Sequence, residues 1–219
     1  MIVLNFKTYA EVTMGDNALD LARIAQDVHD TYNVDIVLCV QAPDLYKVSR
    51  AVSIPVYAQH IDPIDPGKNT GFISPLAIKE NGSSGVLINH SEHRIGMEMI
   101  EKTIAAAKEY DLKTIVCVEN AEEAVEVDIF GPDAIALEDP VLIGGSESIV
   151  KNEAGKQKVI EFVAKNLNAL PLVGAGVKDQ PDVRESLNLG ARGVLLASGF
   201  DLADDPRAVL QDLCEGYAL

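Results

Sequence analysis

The sequence predicts an α/β fold, a single (β/α)8 barrel running as one domain over residues 1–219. Three observations predict it. Eight short runs of consecutive apolar, often β-branched residues recur along the chain, as parallel strands buried on both faces require. Segments of helical periodicity lie between them, and no low-complexity linker interrupts the alternation. A doubly wound open sheet is the alternative architecture, but no GxGxxG follows the first run, which weakens a dinucleotide-binding version of it.

In chain order the strand candidates are IVLNF (2–6), DIVLCV (35–40), PVYAQ (55–59), GVLIN (85–89), KTIVCVE (113–119), DAIALE (133–138), LPLVGAG (170–176) and RGVLLAS (192–198). Helical patterns fit 18–32, 43–51, 75–81, 97–110, 121–128, 156–168, 181–189 and 206–214. The first of these keeps Leu19, Leu21, Ile24 and Val28 apolar, and 97–110 carries Met97, Ile100, Ile104 and Ala107 on one stripe. Pro181 and Pro206 follow aspartates within two positions, the order expected of a cap and a first helical turn.

Composition narrows the partners. With 18 Lys plus Arg against 34 Asp plus Glu, the net charge of -16 makes nucleic acid and anionic membranes poor partners. An anionic ligand would need a local positive site working against that field. No apolar stretch approaches the roughly 18 residues that span a bilayer, and MIVLNFK lacks a signal-peptide core. Cys39, Cys117 and Cys214 are odd in number and show no CxxC spacing, so a reducing, cytoplasmic setting fits.

In a barrel of this kind the C-terminal strand ends share one rim, where the active site should lie. Those ends carry Asn5 and Lys7, Gln41, Gln59 and His60, Asn89 and His90, Glu119, Glu138, Ala175 and Gly176, and Ala197 and Ser198. Glycine-bearing stretches 142–148, 173–179 and 195–201 follow the late strands, where backbone N–H groups can approach an anion closely. Glu138 ends an apolar strand and precedes a loop with a proline start, an apolar tip and a glycine pair, the makings of a lid. A covered carboxylate loses water and gains basicity, as a general base requires. Glu119 is the competing base, with no comparable loop after it.

His90 stands where GVLIN gives way to HSEHR. Ser91, Glu92, His93 and Arg94 are expected to open the next helix, whose N-terminal N–H groups would keep the imidazole neutral and a hydrogen-bond donor. His60 and His93 could join His90 as metal ligands, but no carboxylate or cysteine sits at familiar spacings, so no metal is expected. Lys7, two positions after Asn5 on the first strand, should point to the same face and bring a cation to the mouth.

NFKTY (5–9), NHSEHR (89–94), the strand-end glutamate with its LIGG loop (138–145), GAG (174–176) and LLASG (195–199), taken together and in order, resemble the triosephosphate isomerase family. The short chain, AQH near the third strand end and the GAG and ASG forms resemble its compact archaeal branch. The resemblance implies a TIM barrel and a triose phosphate substrate, interconverted through an enediol(ate) without metal or organic cofactor, in glycolysis and gluconeogenesis. It implies His90 as electrophile, Glu138 as base and Lys7 as the catalytic cation, the glutamate–histidine pair with a closing loop being the established pattern of that enzyme. It further implies substrate contacts from Asn5, Phe6, Lys7, Ile143, Gly144, Gly176, Ala197 and Ser198, with Ser91 and Glu92 in support. A homo-oligomer, dimer or tetramer, would form through residues 60–74. Another phosphosugar isomerase or epimerase, and a phosphometabolite-binding barrel without activity, are the alternatives. Asp139 departs from the proline usual after the base, and where the family commonly carries threonine after the first loop glycine this chain has Gly145 followed by Ser146; both bear on the loop's stiffness, Asp139 at its first hinge.

Overall fold

The computed structural model describes residues 1–140, 142 and 148–218. Eight parallel strands close into a barrel in sequence order: β1 (Ile2–Asn5), β2 (Ile36–Val40), β3 (Val56–Ala58), β4 (Gly85–Ile88), β5 (Lys113–Val118), β6 (Ala134–Leu137), β7 (Leu170–Val173) and β8 (Gly193–Leu196). Closure is made at Ile2, which lies opposite Ile36 on one side and Val194 on the other. Among the described residues the helices are α1 (Asp16–Tyr32), α2 (Leu45–Ser49), α3 (Pro75–Glu80), α4 (Met97–Glu109), α5 (Ala121–Asp128), α6 (Glu153–Val163), α7 (Gln180–Asn188), α8 (Ser198–Asp201) and α9 (Pro206–Glu215). None is long and apolar enough to cross a membrane.

Consecutive apolar residues suit these strands because both faces are buried. Val3, Val37, Cys39, Tyr57, Leu87, Ile115, Cys117, Ala134, Ala136, Leu172 and Leu195 fill the barrel interior. Their neighbours, among them Ile2, Leu4, Leu38, Ile88, Val116 and Ile135, face the helices. Each such side chain, fully buried, contributes about 1.5–3 kcal/mol. The same period of two positions the site: Asn5, Gln59 and Glu138 lie two residues beyond inward-facing Val3, Tyr57 and Ala136, so they emerge above the packed interior.

The expected elements are present with shifted ends. Capping behaves as the aspartates suggest: Asp179 accepts from the Asp182 N–H, and Asp205 from the Ala208 N–H, each with proline in the first turn. The segment expected to be one helix over 43–51 starts as a 3-10 turn at Ala42–Asp44 before α2. The helix expected over 156–168 is instead α6 at Glu153–Val163. Asn152 caps it by accepting from the Gly155 N–H at 2.7 Å, and a Cβ at Gly155 would lie 2.0 Å from the Ile149 carbonyl oxygen. At its far end Asn166 turns left-handed (φ 52°). Asp128 then accepts from the Asn168 and Ala169 N–H groups, which draws the chain into β7.

The larger correction concerns residues 91–96. They form a loop, and α4 starts only at Met97. Asn89 directs that loop: it adopts a left-handed backbone (φ 60°), donates to the Cys117 carbonyl at 2.9 Å and accepts from the Ile95 N–H at 3.0 Å. An asparagine tolerates that conformation better than most residues and ties the loop at both ends.

Candidate active site

The base of the rim is set first by a strained turn. Lys7 is not on β1, as its spacing from Asn5 suggested; it follows the strand in a left-handed conformation with φ 46°. That costs roughly 1–3 kcal/mol and needs a surrounding that fixes it. Asn5 Oδ1 accepts the Lys7 N–H at 3.2 Å, and Gln59 Nε2 donates to the Lys7 carbonyl at 3.0 Å and to Asn5 Oδ1 at 3.2 Å. The ammonium group is thereby delivered to the mouth, where it meets Glu92 Oε1 at 2.7 Å.

His90 is buried (8% exposed). The Glu92 N–H donates to His90 Nδ1 at 3.3 Å, so the neutral ring carries its proton on Nε2. This backbone N–H comes from a tight loop, not from the helix N-terminus that the sequence suggested. Nε2 faces Glu138 Oε1 at 3.7 Å.

Glu138 is 5% exposed, and its Oε2 has no hydrogen-bond partner among the described residues. The Cys117 thiol is buried near this carboxylate; burial first and the Glu138 charge second push the thiol pKa up. Gly174 lies directly beneath, where a Cβ would stand 2.7 Å from Glu138 Cγ. Glu119, the competing base, is exposed and near Arg94 at 3.8 Å. Asp139 accepts from Lys158 Nζ on α6.

Lys7, His90 and Glu138 line one small cleft, together with the wall Ala175–Lys178 and Leu195–Gly199. Ala175 and Gly176 both have positive φ, 66° and 79°. Lys7 and His90 also border a wider neighbouring cleft with Asn5, Gln59, Glu92, His60 and His93. Gly176, Ala197 and Ser198 therefore meet the three ionisable groups, while Asn5 and Glu92 approach from the second side. Phe6 is fully buried and stacks on Phe200 with ring centroids 6.3 Å apart, away from both clefts. Ser91 Oγ is buried without a hydrogen-bond partner among the described residues. Ile143 and Gly144 lie outside the described residues.

His60 and His93 pack ring to ring at 4.4 Å, with His60 Nε2 3.3 Å from Asp62. Burial lowers the His60 pKa, outweighing the Asp62 hydrogen bond. Among the described residues no three His, Cys, Asp or Glu side chains are grouped to hold a metal ion. Sequence reasoning did not single out Lys178, Gly174 as a platform, or Cys117. Lys178 follows the GAG turn by two residues and was the one with a readable signal.

A carboxylate, an imidazole donor and an ammonium group on one cleft beside a glycine-bearing backbone wall place the chain among the barrel enzymes that move protons on small anionic substrates. The profile of the triosephosphate isomerase family matches residues 1–215. A triosephosphate isomerase of Methanosarcina barkeri is 42% identical over 216 residues, covering 97% of this chain and 96% of that one. One from Methanothermobacter thermautotrophicus is 42% identical over 217 residues, covering 97% and 93%. The crystal structure of the Bartonella henselae triosephosphate isomerase superimposes with a TM-score of 0.73 at 24% identity, covering 100% of this chain and 98% of that chain, a likeness of fold. The chain belongs to the triosephosphate isomerase family, and it is an isomerase.

Proposed function

We propose that this chain interconverts glyceraldehyde 3-phosphate and dihydroxyacetone phosphate, with its barrel as the catalytic unit. The observation that carries the role assignment is the approach of Glu138 Oε1 and His90 Nε2 to 3.7 Å on the cleft that Lys7 shares. Glu138 removes a proton from the carbon next to the substrate carbonyl. His90 donates its Nε2–H to the carbonyl oxygen as negative charge builds there, and Lys7 stabilises the resulting enediolate. Glu138 returns the proton to the former carbonyl carbon, while the proton of the neighbouring hydroxyl passes by way of His90 Nε2 to the former carbonyl oxygen, so no atom is gained or lost and His90 ends as it began. The Gly176 and Ala197–Ser198 backbone holds the phosphate, with Lys7 and Lys178 supplying positive charge against the net -16 of the chain. Such a reaction needs no metal or organic cofactor. Ile143 and Gly144 would close over the phosphate, Ser91 and Glu92 supporting the histidine loop.

A coupled assay with glyceraldehyde 3-phosphate tests the reading. Wild type should turn over rapidly, and Glu138→Gln should lose about 10³-fold or more in kcat while phosphate-ligand affinity changes little. Equal loss of both would refute the role of Glu138. The methanogen relatives and the compact length support an archaeal type working in the cytoplasm in glycolysis and gluconeogenesis. A homo-oligomer formed through residues 60–74 is part of the same proposal. Phe72 on that segment is 58% exposed, as a contact residue in a single chain would be.

A further inference from the structure

Behind the anion wall lies a carboxyl that the reaction does not use. Asp201 ends α8, the single turn that continues directly from Ala197 and Ser198, and its own N–H donates to the Ala197 carbonyl at 3.0 Å. It is 1% exposed, and among the described residues neither Oδ1 nor Oδ2 has a hydrogen-bond partner. A carboxylate left so is costly, because burial removes its water and nothing replaces it. The neighbouring elements carry Lys7 after β1, Lys178 after β7, and Asp204, Asp205 and Arg207 around the start of α9. Asp205 is engaged as the α9 cap, and Arg207 pairs with Asp27 on α1. Of these charges, Lys7 is the one that acts on Asp201, drawing its pKa down while burial, the larger effect, pushes it up to about 8.

We propose that Asp201 is a proton-linked positioning residue for the phosphate-bearing substrate, admitting the dianion when its buried carboxyl is neutral and opposing it when ionised. The proposal rests on the triose phosphate reading of this cleft. Its cause is competition for one cation. Lys7 serves the incoming anion, and an ionised Asp201 both shares that ammonium and adds like charge behind the phosphate cradle. Binding of a dianion therefore favours the neutral carboxyl, and linkage requires that a proton be taken up from solvent near pH 8. Affinity must then fall as pH rises through that region.

The experiment measures KM and kcat from pH 6.5 to 9.5 for wild type, Asp201→Asn and Asp201→Ala. Glycerol 3-phosphate binding is followed by calorimetry in two buffers of different ionisation enthalpy. That probe has no carboxylate to protonate, and its second phosphate pKa of about 6 keeps it a dianion throughout the alkaline range. Wild-type KM and Kd should rise roughly tenfold between pH 7 and 9.5, with net proton uptake on binding near pH 8. Both variants should lose the uptake and most of the rise, while the pH dependence of kcat stays parallel in all three proteins. A rise and an uptake that persist in the variants, or no rise in wild type, would overturn the proposal. A folded wild type that binds no glycerol 3-phosphate at any pH would overturn the triose phosphate reading beneath it.

Discussion

Gly174→Ala isolates the placement of the base from its chemistry. No positive φ requires glycine at this position, so alanine is free to adopt the native backbone. Its new Cβ, however, would stand 2.7 Å from Glu138 Cγ and 3.2 Å from Glu138 Oε1. Carbon atoms pack at about 3.5–4.0 Å, so the carboxylate must retreat by roughly 1 Å. A displacement of that size at a reacting group costs about 10²-fold in rate. Overpacking adds about 1–3 kcal/mol of instability, which an otherwise intact core of this size should absorb. Steady-state kinetics should therefore give kcat down about 10²-fold with KM and glycerol 3-phosphate affinity within a fewfold of wild type. Circular dichroism and a thermal melt should show a folded protein. A kcat within threefold of wild type would mean that Glu138 relaxes at no cost, and that Gly174 is no platform for it.

Other expectations follow from neighbouring contacts. Asp201 has its folded pKa raised from 3.8 to about 8, so the folded state holds the extra proton between those values. Stability from this group is thus full below about pH 4 and is lost progressively as pH rises to about 8. The melting temperature of Asp201→Asn minus that of wild type should grow across that window by roughly 10–20 °C, corresponding to up to about 6 kcal/mol, and then level off; a difference independent of pH would contradict the buried carboxyl's raised pKa. Gln59→Leu removes the donor that holds both Asn5 and the left-handed Lys7, and kcat/KM should fall roughly 10–100-fold; kinetics matching wild type would show that the turn is held elsewhere. Phe72→Asp should shift the molecular mass in light scattering toward the monomer, and an unaltered mass would remove residues 60–74 from the assembly.

Much of the barrel could be read before its structure was known. Eight apolar runs, each buried on both faces, are a local signal, and each became a strand within a few residues of its expected ends. Element ends were less legible because they depend on distant partners. The end of α6 is drawn off by Asp128, some 40 residues away, and its start is packed against the Ile149 carbonyl. Residues 91–94 read as a helix start, yet Asn89, held by the Cys117 carbonyl on the next strand, keeps them in a loop until Met97.

The site divides in the same way. Lys7, His90 and Glu138 were named by residue type and by their places at strand ends, because the closed barrel turns those ends to one rim. Sequence alone thus determined the fold class, the family resemblance and the acid–base inventory of this chain. Only the tertiary structure decided the hydrogen-bond geometry: the Glu92 N–H on His90 Nδ1, the thiol and the glycine that seat Glu138, and the solitary burial of Asp201. The physical reason is range. Hydrophobic periodicity is written within a few residues, whereas a tautomer, a pKa or a 2.7 Å contact is set by groups that the chain brings together from opposite ends.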